Sequence, residues 1–212
     1  IMTLTSRFIL AGLGFAATAI LPIAQAKTVQ AELAADQSCA GLPSHAEFKK
    51  ALQAAQAEKN AAFGLHMWGA MVNRAGVVCA VAYTGKNWGD QWPGSRVIAA
   101  QKASTSNSFS LPKLAMATAN LYSITQPGAF AFGIQESNPI VPERAYAGPT
   151  ARWGQANDPM VGQRIGGVNV FGGGVPMYNA KGALIGAMGT SGDSSCADHF
   201  IIWRTRHTLK LD

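Results

Sequence analysis

The chain has 212 residues, 48% of them hydrophobic, and carries 17 Lys+Arg against 11 Asp+Glu for a formal net charge of +6. That length is enough for one domain with a sizeable core. The positive excess is modest and no Lys/Arg cluster concentrates it, which argues against a nucleic-acid partner and leaves anionic small molecules or surfaces as charge-compatible ones.

Arg7 precedes an apolar run over residues 8–23 and the small-x-small triplet Ala24-Gln25-Ala26, so residues 1–26 read as a secretory signal peptide. The run is too short and too rich in small residues for a permanent span, and no second stretch long enough to cross a bilayer follows. The mature chain is therefore expected in the periplasm or outside the cell, without a stable membrane span, beginning with a polar segment over residues 27–43. All three cysteines survive cleavage into an oxidising compartment, where one pair and one free thiol is the natural arithmetic. Cys79 lies inside the apolar run 77–83 and reads as a buried small hydrophobe. Cys39 and Cys196 lie at or outside the ends of elements and are the expected disulfide.

Residues 44–63 place Phe48, Ala51, Leu52, Ala55, Lys59 and Ala62 at helical spacing behind a Ser44/Glu47 capping box, which predicts an amphipathic helix ending at Gly64. Two apolar runs, 65–72 and 77–83, flank the turn residues 73–76 and predict a hairpin. A loop with Trp88 and Trp92 leads to a helix over 95–109, with Val97, Ile98, Ala100 and Ala103 inward and Lys102 solvated. A second alanine-rich helix is expected over 114–122. Residues 126–164 are dense in Pro, Gly, Asn and aromatics, and a loop that long reads as a lid or an oligomer contact. A strand over 167–171 then precedes a second hairpin, 175–178 and 183–188, closed by the four-residue loop 179–182.

That hairpin runs into Gly189-Thr190-Ser191-Gly192, read as a Gly-rich bend, and a final helix from Ser194 to about His207. Ser195 and Asp198 have capping-box spacing, and Asp193 or Ser194 is an alternative N-cap. Free amides of the first turn beside flexible glycines make an anion site one reading and a plain tight connection the other. Two hairpins with helices between and after them indicate an α+β fold with an antiparallel β-sheet, rather than alternating parallel units.

Gly172-Gly-Gly-Val-Pro176, the strand from Gly182 to Gly192 and the upstream Lys102-Ala-Ser-Thr105 resemble the GlcG/HbpS family of small haem-binding proteins, over roughly residues 44–211. The resemblance implies a single domain with an antiparallel sheet flanked by helices, and against short members of the family the irregular segment at about 126–164 is a longer insert. It also implies homo-oligomers and a role in haem binding, uptake, storage or degradation, or redox sensing.

A haem site needs an axial ligand, an apolar slot and cations for the propionates. Of the four histidines, His45 and His207 read as solvated, which leaves His199 and His66 as candidate metal ligands. Only Cys196-x-x-His199 sets two donors on one helix face, and zinc would need four. Arg96, Lys102, Lys113 and Arg164 are the candidate carboxylate partners, and Gly189, Thr190, Ser191 and Gly192 the candidate backbone contacts. A second reading is an enzyme acting on a carboxylate metabolite at the Gly-rich anion site, with Asp193, Asp198 or His199 as base. Gly189-Thr-Ser-Gly192 does not fit the nucleophile elbow of a hydrolase. A third reading is a purely structural, oligomer-forming protein.

Overall fold

The computed structural model describes residues 23–212, so the expected leader lies outside the described residues up to position 22. Helix α1 (Ile23–Asp36) occupies most of what reads in the sequence as a polar lead-in. Among the described residues, 23–35 belong to one unit and 36–212 to a second. The second unit carries everything below.

Its centre is a four-stranded antiparallel sheet, built from β1 (Trp68–Asn73), β2 (Val78–Tyr83), β3 (Gly174–Tyr178) and β4 (Leu184–Ser191) in the order β2-β1-β4-β3. Both hairpins form as expected, and β1 joins them by pairing with β4, Trp68 opposite Ser191 and Asn73 opposite Gly186. The fold class is α+β with helices on both faces. Successive residues of β1 serve opposite faces, as strand geometry requires. Trp68, Ala70 and Val72 pack with Ala99, Ala100 and Ala103 of α3 (Ser95–Phe109), whereas Met67 and Met71 pack with Phe48 and Leu52 of α2 (His45–Ala57) and Ile201 and Ile202 of α6 (Ser195–Thr208).

The capping box of α2 forms as expected, Ser44 N donating to Glu47 Oε2 at 2.8 Å and Glu47 N to Ser44 Oγ at 3.3 Å. The helix stops at Ala57, short of Gly64, because the Asn60 amide turns back to donate to the carbonyls of Ala55, Gln56 and Glu58, and Ala61 takes φ of 55°. The expected helix over 114–122 shrinks to α4 (Thr118–Leu121). Leu111 and Leu114 exchange backbone hydrogen bonds around Pro112, and Ser110 Oγ accepts from Met116 N, so the preceding residues are held in a turn. No strand forms over 167–171. Gly166 and Gly167 both take positive φ, and the amides of Asn169 and Val170 donate to the side chains of Thr105 and Gln135.

The disulfide is Cys39–Cys79, with Cα atoms 5.6 Å apart, and Cys196 is free and exposed. The expected Cys39–Cys196 pair is thereby corrected. Met71 pairs with Ala80 and Val72 with Val78, which leaves Cys79 as the extra residue of a β-bulge and only partly buried. A bulge re-aims its side chain, so residue 79 is not the inert core cysteine that its apolar neighbours suggest. The Asn73 amide, donating to the carbonyls of Asp36 and Ser38, brings the Cys39 segment to the same edge.

The irregular segment is only partly a surface feature. Ala145, at the end of the short helix α5 (Pro142–Ala145), Met160 and Ile165 are buried in the layer on the α3 side of the sheet. Both sheet edges are met by irregular chain: Val78 exchanges backbone bonds of 2.9 Å with Gly162 and Gln163, and Tyr178 N donates to Leu211 O at 2.9 Å.

Candidate functional site

The site is set by how closely α3 and α6 approach the sheet. A Cβ on Gly189 would fall on the backbone of Ala99 and Ala103, so this glycine admits α3 and not a ligand. A Cβ on Gly172 would strike Ser195 O and one on Gly173 the Asp198 Cβ, so residues 172 and 173 pass directly against the first turn of α6, while one on Gly174 would strike Lys102 O of α3.

Lys102 and Asp198 fix that approach. The Lys102 Nζ donates to Asp198 Oδ2 at 2.7 Å and to Thr190 O at 3.2 Å, and both side chains are almost wholly buried. Lys102 is thus the reverse of the solvated residue expected from the sequence. Burial pushes the Asp198 carboxyl up to about 6, against the opposing pull of Lys102, and burial lowers the lysine. Three amides around the start of α6, those of Asp193, Ser194 and Ala197, are taken by the chain's own side chains. Ser194 Oγ accepts from Ala197 N, Asp198 from Asp193 N, and the Asp193 carboxylate from Ser194, Leu65 and Phe63. Ser194 is the N-cap, and its hydroxyl occupies one of the first-turn amides on which the expected anion site would draw.

The residues expected to hold a ligand therefore separate. Gly189, Thr190 and Ser191 lie within β4, where Thr190 Oγ1 donates to Trp68 O at 2.6 Å and Ser191 Oγ lies 3.4 Å from Ser95 Oγ. A Cβ on Gly192 would meet His66 O at 2.5 Å, which again makes a glycine a matter of chain packing. Arg96 is buried and donates to Asp158 Oδ2 at 3.0 Å and to Ala145 O at 2.7 Å, with its guanidinium over the Trp153 ring. It holds the irregular segment to α3. Arg164 donates to Ala75 O and pairs with Asp36, and Lys113 is exposed in the turn before α4. His66 is exposed, with Nδ1 3.1 Å from Thr84 Oγ1. His45 is not simply solvated, since its Nε2 lies 2.9 Å from Gly154 O.

His199 lines the most apolar cavity that any of these candidates reaches. The cavity, of about 460 Å3, is walled by Ala119 and Tyr122 at α4, by Val170, Phe171 and Gly172, and by Ser195, Cys196, His199 and Phe200 of α6. Among the described residues, no Lys, Arg, Asp or Glu lines it. Tyr122 and Phe171 have ring centroids 6.3 Å apart, and both rings are about half exposed at the mouth. His199 Nδ1 is buried without a hydrogen-bond partner. Burial lowers the His199 pKa, with a smaller contribution from Arg206, so the ring is held neutral. A neutral imidazole keeps a lone pair for a metal. Among the described residues no group of three or more His, Cys, Asp or Glu is placed to hold a bare metal ion.

The Cys196/His199 face is readable from i, i+3 spacing. Tyr122 and Phe171 escape sequence reasoning because the segments that carry them are irregular, so no periodicity assigns them a face.

The profile of a family described as "Haem degrading protein HbpS-like" matches residues 44–205. No curated protein matches the chain. Among solved structures, the chain is similar to a complex of PduOC with haem, at 19% identity over 78% of this chain and 91% of that one, with a TM-score of 0.53. It is also similar to Klebsiella pneumoniae protein ORFY, at 18% identity over 77% and 86% with a TM-score of 0.52. HbpS is matched at 22% identity over 81% and 93% with a TM-score of 0.50. At these identities the likenesses show the fold.

Proposed function

From the premise that the chain belongs to the HbpS-like haem-degrading protein family, we propose that it binds haem in the cavity between α4, residues 170–172 and α6, with His199 as the iron ligand. The observation that carries this reading is a neutral imidazole, its Nδ1 buried and unpartnered, in the wall of an otherwise apolar cavity. Haem fits this donor set: a flat macrocycle asks for apolar walls and one strong nitrogen ligand, and a single protein ligand suffices where a bare metal ion needs several. Tyr122, Phe171 and Phe200 would cover the ring and keep water from it, while the open mouth leaves the propionates to solvent. Bound haem would supply a redox-active iron centre.

Export, and a role in haem uptake, storage or sensing outside the cytoplasm, are part of the same proposal. The Cys39–Cys79 disulfide supports an oxidising compartment. No helix among the described residues is long and apolar enough to cross a membrane. The half-exposed aromatics around the cavity also support homo-oligomeric contact on this side of the molecule. The carboxylate-enzyme alternative is less favoured, because two of its candidate bases are already engaged, Asp193 by the amides of Phe63, Leu65 and Ser194 and Asp198 by Lys102 and the Asp193 amide.

Titration with haemin tests the reading. A saturable Soret band with one haem per chain is expected, and His199→Ala should shift that band and weaken binding. An unchanged spectrum and affinity in His199→Ala would remove His199 as the ligand.

A further inference from the structure

A second cleft, of about 450 Å3, opens at the tip of the β1–β2 hairpin and shares no residue with the His199 cavity. It lies between Arg74 and Gly76 of the hairpin, Ser104, Asn107 and Ser108 of α3, and Arg164. Among the described residues, arginine is the only ionisable residue type in its lining.

Both guanidinium groups are held from behind. Arg74 Nη1 donates to the Asn107 backbone and side-chain oxygens, and Nη2 to Ser110 O at 3.3 Å. Arg74 thereby offsets the carbonyls at the C-terminal end of α3, whose partial negative charge would otherwise repel an anion. Arg164 Nε donates to Ala75 O at 2.8 Å, and its Nη2 lies 3.3 Å from Asp36 Oδ2. These bonds fix the two planar forks while using only part of their donor capacity. Asp36 is itself informative. Its carboxylate, with a side chain 60% exposed, shows that Arg164 accepts an oxyanion from the rim.

We propose that this cleft is an anion site for a compact oxyanion, a carboxylate or a phosphate group, held by Arg74 and Arg164 with the Ser104 and Ser108 hydroxyls, and that Asp36 is its built-in competitor. Fixed guanidinium forks beside hydroxyl donors recognise the shared geometry of carboxylate and phosphate, and the hydroxyls complete a set that Asp36 reaches only from one side.

Isothermal titration calorimetry of the intact protein at constant ionic strength, with malonate and with inorganic phosphate, tests the site and separates the two sources. One-to-one binding of at least one anion is expected. Arg164→Gln should weaken it about tenfold, as loss of a charge-assisted pair does, and Asp36→Asn should tighten it several-fold by removing the competitor. Ser104→Ala, which leaves the guanidinium scaffold intact, should weaken it modestly, and His199→Ala should leave it unchanged. Absence of saturable heat for both anions at millimolar concentration overturns the proposal. Unchanged or weaker binding in Asp36→Asn, or loss in His199→Ala, overturns it equally. Failure of haemin to bind has no bearing on this cleft.

Discussion

Lys102 and Asp198 form a buried ion pair, 2.7 Å between Nζ and Oδ2, that ties the middle of α3 to the first turn of α6 across residues 172–174. One wall of the His199 cavity is thereby pinned to the helix that packs on the sheet. Replacing one member strands the other charge in a dry interior, so Lys102→Met or Asp198→Asn should each cost about 3–5 kcal/mol. The double replacement Lys102→Met with Asp198→Asn should recover most of that loss. Urea unfolding of the four proteins checks it, and additive losses in the double variant would show that the two do not act as a pair.

The lowered pKa of His199 carries a sign. In the unfolded chain the imidazole takes up a proton near its ordinary value, whereas in the folded protein burial resists that proton until lower pH. Its contribution to stability is therefore present above about 6.5 and lost as pH falls below it. The apoprotein should lose stability toward acid more steeply than His199→Phe, as followed by denaturation midpoints between neutrality and mild acid.

Disulfide chemistry gives a third expectation. Non-reducing peptide mapping should link Cys39 to Cys79, and thiol titration of the denatured, unreduced chain should find Cys196 alone. The bridge closes a loop with a sequence separation of 40, so Cys79→Ser should cost about 4 kcal/mol on the chain-entropy account. Cys196→Ser should leave stability nearly unchanged.

At Gly189 the outcome separates packing from ligand contact. Gly189→Ala pushes a methyl group into the backbone of α3, which should cost roughly 1–3 kcal/mol. Haemin affinity of the folded fraction should stay the same. A selective loss of affinity at unchanged stability would return the Gly-rich strand to the ligand site.

The elements with strong local signals were legible: the α2 capping box, both hairpins, and α3, whose bounds fall where the sequence places them. Charge partnership was not. Arg96 with Asp158 and Lys102 with Asp198 are separated by 62 and 96 residues, and no local pattern distinguishes a buried lysine from a solvated one. Cys79 misled for a different reason, since a bulge is set by pairing register, which only the partner strand defines. For the Gly-rich stretch the sequence left two readings open, an anion site and a tight connection, and the close backbone contacts at Gly189 and Gly192 favour the second. Its glycines admit the chain's own backbone, and a sequence does not say whose atoms come close.

The way the two outer strands end bears on how copies of the chain can meet. Val78 on β2 is already engaged by Gly162 and Gln163, and Tyr178 on β3 by Leu211. At both points the backbone groups that could seed a continued ladder are spent within the molecule, which blunts edge-to-edge growth of the kind that leads to fibres. At these two points any contact between copies would then rest on side chains, which point substitution can retune without disturbing the sheet.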